Sequence, residues 1–525
     1  MDGGANDAGL ACSLMRRVQI ASATGLAAKA GAAVADAGGN AIDAAIGASI
    51  ASMCTEIGII APAGSGFVTV WPRDGDPIVI DGYAEMPGRG LPEDRFGGGG
   101  RGVEMSYGGH TETIVGWGSV ATPGAFAAFA EAHERYGSIE WSAILEPTIR
   151  TVEAGFPVTR ASAEYLDHSH RLIFGWDDTS RSITHHADGT PVAEGDVIHI
   201  PYLADTLRQV SAEGASVLYG GEIGRRTADA VLAGGGVLTH ADLTSYVVEI
   251  REPVRFELDD WEVATNPLPA VGGVVASALL LLASTPPFEG WIPREVDRMA
   301  RIQRAVLRYR GDQLDDYAAR SQAAEDLLTY AHAGDLSAVE RSPSTVHTSV
   351  TDTDGNACAV TVSAGYGAGA LVPGTGWYLN NSLGEVELTA EGFHALDPGT
   401  RLVSNMAPTV ARRADGSILA IGSPGASRIT TAIAQVLLNF LHLGMSLREA
   451  VAHPRLHVEV FGGSPMIAHE PGLDVRSIDG MTARRFPDLA MYFGGVQAAV
   501  FDPIAGLYGA ADPRRSGDTA RGGFD

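Results

Sequence analysis

Two β-type runs joined by a short polar turn constrain the fold of this chain more than any other feature. Residues 345–351 (TVHTSVT) and 357–363 (ACAVTVS) flank the turn 352–356 (DTDGN), and residues 66–71 and 77–80 repeat the arrangement around 73–76. A turn this short joins antiparallel strands, because a parallel pair needs a crossover of a dozen residues or more. The pattern therefore predicts antiparallel hairpins rather than a doubly wound parallel sheet.

Helical patterns lie between and after these runs. Residues 24–37 are typical of an Ala-rich helix that ends at Gly38-Gly39, and Asn40 can cap a second helix over 41–53. Further helices are predicted at 123–136, 144–154, 203–213, 223–233, 428–441 and 447–453, and further strands at 377–379, 409–411 and 418–421. The Gly-rich residues 88–120 indicate an irregular surface loop. Strands with helices outside them favour a layered sheet sandwich.

The acidic composition limits the partners of the chain. Of its 525 residues, 63 are Asp or Glu and 37 are Lys or Arg, which gives a formal charge of −26. Such a chain has no basic surface to neutralise phosphates, so general binding of nucleic acid is excluded. The same charge argues against docking on anionic lipid. Hydrophobic residues at 45% and charged residues at 19% are typical of a folded globular protein.

Targeting and cysteine features favour a cytoplasmic protein. The N-terminal segment lacks the long apolar core of a secretory signal, and the longest apolar stretch, residues 271–283, is too short to span a bilayer. Cys12, Cys54 and Cys358 are far apart and follow no zinc spacing. We therefore expect free thiols in a reducing compartment.

Four histidines raise the question of a metal site. His168 and His170 form one close pair, and His185 and His186 form another. Both pairs lie in polar, turn-rich sequence without a carboxylate at ligand spacing, so no metal site is predicted there.

Three loops are candidates for chemistry. Residues 365–369 (GYGAG) follow a strand, but residues 373–376 (PGTG) stand where a dinucleotide site needs a helix N-terminus, so a plain turn is predicted. Residues 422–428 (GSPGASR) join a strand to a helix, and N–H groups in such a loop can converge on an anion, as in an oxyanion hole. Residues 342–347 (SPSTVH) run into a strand, where Thr345 alone indicates a β-former rather than a nucleophile.

Taken together, these segments resemble the γ-glutamyltranspeptidase family. The resemblance extends over nearly the whole chain, and its strongest part is residues 345–362 (TVHTSVTDTDGNACAVTV). Other matches, in chain order, are 35–45 (ADAGGNAIDAA), 116–125 (GWGSVATPGA), 242–246 (DLTSY), 267–273 (PLPAVGG), 379–381 (LNN), 404–409 (SNMAPT), 422–428 (GSPGASR) and 507–514 (LYGAADPR).

The resemblance implies an N-terminal-nucleophile hydrolase, an α+β fold with a four-layer αββα sandwich. Such chains are inactive precursors that cut themselves in front of a threonine, here between Ser344 and Thr345. The cut would give a large subunit, 1–344, and a small subunit, 345–525, which remain together as one αββα unit, a heterodimer. The free α-amine of Thr345 would then take the proton of its own hydroxyl, so one residue would be both nucleophile and base.

The same resemblance assigns the supporting groups. Ser363 matches a second hydroxyl that supports the nucleophile, and Gly425 and Ala426 match the two backbone N–H groups of the oxyanion hole. No metal and no organic cofactor is implied. The expected partner is a small-molecule substrate, with no nucleic acid and no membrane.

The carboxylate side of the substrate pocket departs from the family. The arginine that holds the α-carboxylate of a glutamyl donor falls at Ala84, within residues 82–87 (GYAEMP). A methyl group cannot replace a bidentate arginine contact. Arg89, five residues later, is the alternative cation.

The remaining substrate contacts are altered as well. After residues 380–381 the family carries a Gln and an acidic pair for the α-amine, where this chain has Ser382 and only one plausible acid, Glu385. Ser404 matches the first of two paired serines and Asn405 replaces the second. We predict that self-processing and acyl transfer are retained while γ-glutamyl recognition is lost.

Several functions are compatible with this pattern. The first is a self-processing threonine acyl-hydrolase or acyltransferase acting on something other than an ordinary γ-glutamyl peptide; oxamate-type amide hydrolysis fits equally. In the second, the threonine attacks a ketone-like acyl carbon and releases a carbon leaving group, as family members in pyrrolobenzodiazepine and lincosamide antibiotic pathways are thought to do while building alkylproline units. The third is an unprocessed relative without catalysis, which the presence of Thr345, Ser363 and the 425–426 turn opposes.

Overall fold

Helices and strands alternate through most of the chain. The computed structural model describes residues 16–105, 111–314, 319–333, 346–385, 391–426, 428–460 and 464–523. The α-helices are α1 (Gly25–Asp36), α2 (Ala41–Thr55), α3 (Ala125–Tyr136), α4 (Trp141–Ala154), α5 (Arg160–Ser169), α6 (Asp178–Thr184), α7 (Leu203–Glu213), α8 (Glu222–Ala233), α9 (His240–Thr244), α10 (Val271–Ser284), α11 (Pro293–Tyr309), α12 (Arg320–Ala333), α13 (Arg428–Leu437) and α14 (Leu447–Ala452). The strands are β1 (Val18–Ser22), β2 (Ser65–Trp71), β3 (Ile78–Gly82), β4 (Arg101–Met105), β5 (Thr111–Val115), β6 (Phe156–Pro157), β7 (Val197–Ile198), β8 (Glu249–Arg251), β9 (Val254–Leu258), β10 (Trp261–Thr265), β11 (Val346–Asp352), β12 (Ala357–Ser363), β13 (Leu371–Val372), β14 (Trp377–Tyr378), β15 (Thr409–Arg413), β16 (Ile418–Gly422), β17 (Leu456–Glu459), β18 (Met466–His469), β19 (Thr482–Arg485), β20 (Gln497–Asp502), β21 (Gly506–Ala511) and β22 (Asp518–Gly522).

Most of the long strands lie in two antiparallel sheets. The larger has the order β22-β1-β11-β12-β2-β3-β8, and the smaller has the order β21-β20-β16-β15-β10-β9. The predicted hairpin β11–β12 is at the centre of the larger sheet, with Val346 opposite Val362 and with Ser363 opposite Ser65 of β2. Both strands are buried along their whole length, which is typical of strands covered on both faces.

The two sheets contact each other, and each sheet also contacts helices. Strands β11 and β12 of the larger sheet contact β16 of the smaller one, and β11 also contacts β20. Helix α2 packs on β1, β11 and β12, and α3 packs on β2 and β3. Helix α10 contacts β9 and β10, and α13 contacts β16. The fold therefore mixes helices with antiparallel sheets, as expected from the sequence.

Helix α2 is buried at all of its residues and depends on its N-terminal cap. The Asn40 side-chain oxygen accepts from the N–H groups of Ile42 (2.8 Å) and Asp43 (3.0 Å), and Asp43 accepts from the N–H of Asn40 at 3.0 Å. The Asp352 carboxylate of the β11–β12 turn accepts from the N–H of Ala41 at 3.0 Å. These bonds satisfy N–H groups that a helix leaves open at its start, and they attach the turn to α2.

Two sequence predictions are corrected by the structure. The segment 88–120 is not irregular throughout, because β4 and β5 form an antiparallel hairpin within it. The histidine pairs do not lie in turns alone, since His168 is in α5 and His170 caps that helix. Residues 271–283 form the buried helix α10. Within the ranges given above, no helix has both the length and the apolar composition needed to cross a membrane.

Candidate functional site

Several chain segments that carry predicted site residues end or begin at one edge of the two sheets. In the larger sheet, β11 starts at Val346 and β12 ends at Ser363, while β3 ends at Gly82. In the smaller sheet, β16 ends at Gly422 opposite the region where β15 starts, with Thr409 paired to Ile421. The predicted cleavage site, Ser344 and Thr345, lies outside the described residues.

A buried histidine connects the two sheets at this edge. His347 of β11 packs against Gly422 of β16 so closely that a Cβ on Gly422 would lie 2.3 Å from the imidazole ring. Its Nε2 lies 2.7 Å from Ser349 Oγ, which donates to the carbonyl of Gln497 at 3.0 Å, and its Nδ1 lies 2.7 Å from Thr361 Oγ. Because the Ser349 proton goes to the carbonyl, Nε2 must donate and Nδ1 must accept. Burial lowers the pKa of His347 to about 3, in keeping with a neutral ring.

Ser363 is held at the end of β12. Its side chain is buried, and its Oγ accepts the N–H of Gly365 at 3.0 Å. Gly365 has φ +61°, and a methyl group there would lie 2.2 Å from Asn381 Oδ1 and 3.2 Å from Glu385 Oε1. Only glycine fits this position, and its lack of a side chain leaves room for Glu385 beside Gly365, two residues after Ser363.

The loop after β16 has the backbone strain that often marks a functional turn. Gly425 has φ +130° and Ala426 has φ +60°, a left-handed conformation that costs an alanine about 1 kcal/mol or more. Ser423 Oγ donates to the carbonyl of Pro424 (2.7 Å) and accepts from the N–H of Gly495 (3.0 Å). We call His347, Ser363 and the loop 423–426 the reaction face.

The residues around Ala84 form a compact apolar wall. Ala84 is fully buried, and its carbonyl accepts the N–H of Leu402 at 2.9 Å. The neighbouring Tyr83 stacks on Phe67 with ring centroids 5.3 Å apart, and its hydroxyl lies near the side chain of Ser404. Burial, and then the charge of Glu385, raise the pKa of Tyr83 well above its usual value.

The arginines near this wall are engaged elsewhere. Arg89, the alternative cation of the sequence analysis, contacts Glu85 at 3.2 Å and Asp242 at 3.4 Å. Arg401 donates to the carbonyls of Tyr83 and Val247, each at 2.7 Å. Both guanidinium groups are therefore held by protein groups: Arg89 by the carboxylates of Glu85 and Asp242, and Arg401 by two main-chain carbonyls.

The asparagine pair before Glu385 has a structural role. Asn380 donates to the carbonyls of Ala63 (2.9 Å) and Ala121 (3.0 Å) and accepts from the N–H of Ser382 at 3.0 Å. Ser382 and Glu385 are both buried beside it. Asn380 thus fixes the loop that places Glu385.

Asn405 differs from its surroundings. Its side chain is only 3% exposed, yet neither Oδ1 nor Nδ2 has a hydrogen-bond partner among the described residues. Its neighbour Ser404 accepts the N–H of Met406 at 3.2 Å, and the main chain at Asn405 packs on Gly272, where a Cβ would lie 1.9 Å from the Asn405 carbonyl. We call Tyr83, Glu385, Ser404 and Asn405 the recognition face.

Two residues at this edge escaped the sequence analysis. Tyr83 stands beside Ala84 in the GYAEMP segment, and His347 stands two residues after Thr345. The sequence could have indicated these two residues only through their positions within two segments matched to the family. Their partners, Ser404 and Gly422, belong to distant parts of the chain, so no local pattern could have revealed the contacts.

The histidines that raised the metal question lie in another part of the fold. His170 Nδ1 and His185 Nε2 are 2.9 Å apart, and His186 pairs with Asp196 at 3.0 Å. Across the residues that the structure describes, no group of three His, Cys, Asp or Glu side chains could hold a metal ion.

Comparison with known proteins identifies the family. The family model described as Gamma-glutamyltranspeptidase matches residues 27–522. An "Acylase ACY 1 proenzyme" of Pseudomonas sp. (strain V22) is 30% identical, covering 94% of this chain and 91% of that protein. A "Glutathione hydrolase proenzyme" of Pseudomonas aeruginosa is also 30% identical, covering 93% and 92%.

Solved structures agree with this assignment. The crystal structure of cephalosporin acylase from Bacillus halodurans has a TM-score of 0.77 and 26% identity, and 96% of each chain is covered. A structure of LmbA has a TM-score of 0.76 with 96% and 98% coverage, and at 21% identity it shows likeness of fold alone. The chain therefore belongs to the γ-glutamyltranspeptidase family, and it is an enzyme of the hydrolase and acyltransferase kind found in that family.

Proposed function

We propose that this chain is a self-processing N-terminal-threonine enzyme that cleaves an amide of a small molecule through an acyl-threonine intermediate. Cleavage between Ser344 and Thr345 would free the nucleophile and give a large subunit (1–344) and a small subunit (345–525). Ordinary γ-glutamyl compounds would be poor substrates. The four-layer αββα sandwich belongs to the same proposal, supported by the contacts of the two sheets with each other and with α2, α3, α10 and α13.

The bonds made and broken in this reaction balance without a cofactor. The Thr345 hydroxyl oxygen attacks the amide carbon, and its proton passes to the α-amine of the same residue. The tetrahedral oxyanion is stabilised by the N–H groups of Gly425 and Ala426. The C–N bond then breaks, and the leaving amine takes the proton. Water, or an acceptor amine, finally attacks the acyl-threonine ester and restores the hydroxyl.

One observation carries this proposal. The His347 ring packs on Gly422, so the start of β11 is next to the end of β16. Thr345 directly precedes β11, and the strained turn at Gly425 and Ala426 directly follows β16. A nucleophile and an oxyanion hole must lie within a few ångströms of one carbonyl group, and the contact between these two strand ends supports that arrangement.

Intact mass under denaturing conditions tests the proposal. Freshly purified protein is expected to give two fragments that meet between Ser344 and Thr345, and the Thr345→Ala variant should give one full-length chain. Processed protein should then release p-nitroaniline from at least one simple acyl p-nitroanilide. A persistent full-length chain in the unmodified protein would favour the non-catalytic alternative instead.

A further inference from the structure

The loop 423–426 of the reaction face packs against residues 493–496, which we call the supporting segment. Gly494 has φ +90°, and a Cβ on it would lie 2.7 Å from Ser423 Oγ. On the facing backbone, a Cβ on Gly425 would lie 2.7 Å from Gly494 Cα. No side chain fits between the two backbones, so the position of one determines the position of the other.

A buried hydroxyl joins the supporting segment to the loop. Ser423 Oγ, on a side chain that is 1% exposed, accepts the N–H of Gly495 at 3.0 Å and donates to the carbonyl of Pro424 at 2.7 Å. The Pro424 carbonyl and the Gly425 N–H belong to one peptide group, which is planar and trans. A bond that holds this carbonyl therefore also fixes the direction of the Gly425 N–H.

A buried ion pair anchors both ends of the supporting segment. Asp512 accepts the N–H of Val496 at 2.8 Å, and Arg455 donates to the carbonyl of Phe493 at 3.0 Å. Arg455 and Asp512 contact each other at 2.7 Å, and neither is more than 1% exposed. The main chain on either side of Gly494 is thus bonded to one pair of opposite charges.

A second buried pair balances the first. Arg514 contacts Asp512 at 3.1 Å and donates through Nε to Glu470 at 2.7 Å, and Glu470 accepts the N–H of Ala490 at 2.9 Å. The network holds two positive and two negative side chains with many mutual hydrogen bonds, an arrangement that permits little movement of the bonded main chain.

We propose that the supporting segment positions the oxyanion hole, with Gly494 and Asp512 as its positioning residues. Gly494 allows the close contact with the loop 423–426, and Asp512, together with Arg455, holds the segment in place. The Gly425 N–H is then aimed before the substrate arrives, and a donor aimed in advance stabilises an oxyanion best. The inference rests on the proposed function, since it concerns the donors for that acyl transfer.

A pair of glycine variants tests the contact. Gly494→Ala and Gly506→Ala each place a methyl group on a residue of positive φ, +90° and +79°, so both should lose some stability. At Gly506, in the turn between β20 and β21, the added Cβ would meet no described heavy atom within 4 Å, whereas at Gly494 it would push Ser423 away.

Turnover should separate these two variants. With processed protein and the acyl p-nitroanilide that it hydrolyses best, we expect kcat to fall at least about tenfold in Gly494→Ala while KM stays the same. Gly506→Ala should keep both values. Equal kcat values in the two variants would overturn the inference.

Inhibition by propylboronic acid, which matches a butanoyl chain, distinguishes positioning from partial unfolding. The Thr345 oxygen adds to boron, its proton passes to the α-amine, and one boronate oxygen takes the place of the oxyanion. We expect the Ki to rise in Gly494→Ala by about the factor by which kcat falls. A smaller folded fraction would lower kcat without changing Ki, and that result would overturn the inference.

A pair of aspartate variants tests the anchor. Asp512 accepts the N–H of Val496 next to the reaction face, and Asp502 accepts two N–H groups of the turn at the far end of β20, at 2.7 and 2.8 Å. Asp512→Asn keeps an acceptor but loses the charge that holds Arg455, so kcat should fall and Ki should rise, each at least about fivefold. Asp502→Asn should change neither. An unchanged kcat in Asp512→Asn would refute the role of the network.

Failure of the inference differs from failure of the proposed function. If Gly494→Ala does not fold, Ser423→Ala replaces it with the same expected changes, because it removes the joining hydroxyl and adds no atoms. Unmodified protein that processes and is active, with variants that keep its kcat and Ki, refutes the positioning role alone. Unmodified protein that never processes refutes the proposed function.

Discussion

The reaction face and the recognition face lie at the same edge of the sheets, yet their polar groups are satisfied in different ways. In the reaction face, both nitrogens of His347 and the hydroxyls of Ser363 and Ser423 have hydrogen-bond partners within the protein. In the recognition face, the Asn405 amide has none among the described residues. A buried polar group without a partner costs about 1–3 kcal/mol. The difference shows that the named groups of the reaction face are satisfied within the protein, whereas the recognition face keeps one buried amide that no described residue satisfies.

Removal of the nucleophile should have the largest effect. Thr345→Ala is expected to abolish processing and to lower turnover by at least about 1,000-fold, because no hydroxyl remains to attack. Thr345→Ser keeps a hydroxyl and should still process, which intact mass measures. A processed or active alanine variant would show that Thr345 is not the nucleophile.

A smaller loss is expected from the supporting hydroxyl. Ser363→Ala should lower kcat by about 100-fold with little change in KM, since its Oγ accepts the main-chain N–H of Gly365 and is predicted to support the nucleophile rather than to bind the acyl chain. Ser363→Thr, which keeps the hydroxyl, is the control. Steady-state kinetics on the best acyl p-nitroanilide measures both, and a rise in KM alone would place Ser363 in the recognition face instead.

A substitution in the apolar wall at Ala84 should raise activity rather than lower it. Ala84→Arg restores a guanidinium beside the pocket, so kcat/KM for γ-glutamyl p-nitroanilide should rise about tenfold. Ala84→Met, of similar length without charge, should give no rise. An equal gain in both variants, or an arginine variant that no longer processes, would show that this wall has no room for the missing cation.

The smallest expected effect is on the pH dependence of stability, through the buried His347. Its pKa is about 3 in the folded protein, because burial disfavours the charged ring, against 6.5 for an exposed histidine. As pH falls below 6.5 the unfolded chain binds a proton that the folded chain refuses, so stability is lost on acidification. His347→Gln should remove about 1 kcal/mol of that loss between pH 7 and pH 5.5. Urea unfolding at the two pH values measures it, and an identical pH dependence in both proteins would contradict a neutral buried ring.

Local signals predicted much of the fold. The residue pattern around the DTDGN turn predicted β11 and β12, and Asn40 with Asp43 predicted the start of α2. The β4–β5 hairpin was missed because glycines surround it and obscure its alternation. The amphipathic helix α11 was not predicted either, although it begins with a proline, Pro293, in its first turn.

Only those site residues that lie in motifs shared with the family could be predicted from the sequence. The resemblance singled out Ser363, Gly425 and Ala426, and the structure brings the segments that carry them to one edge of the sheets. The roles of these three residues and of Thr345 stay predictions. The contact of His347 with Gly422 depends on how two sheets align, which no short stretch of sequence encodes.

The interleaving of the strands has a consequence for the proposed cleavage before Thr345. Any break between residues 333 and 346 leaves β11, β12, β15, β16, β20, β21 and β22 on one fragment. These strands pair with the other fragment at β22–β1, β1–β11, β12–β2 and β15–β10. These four strand pairs, which lie in both sheets, must all separate before the two fragments can dissociate. Nicked protein should therefore melt in a single step, and its two pieces should not exchange with those of another molecule unless both unfold.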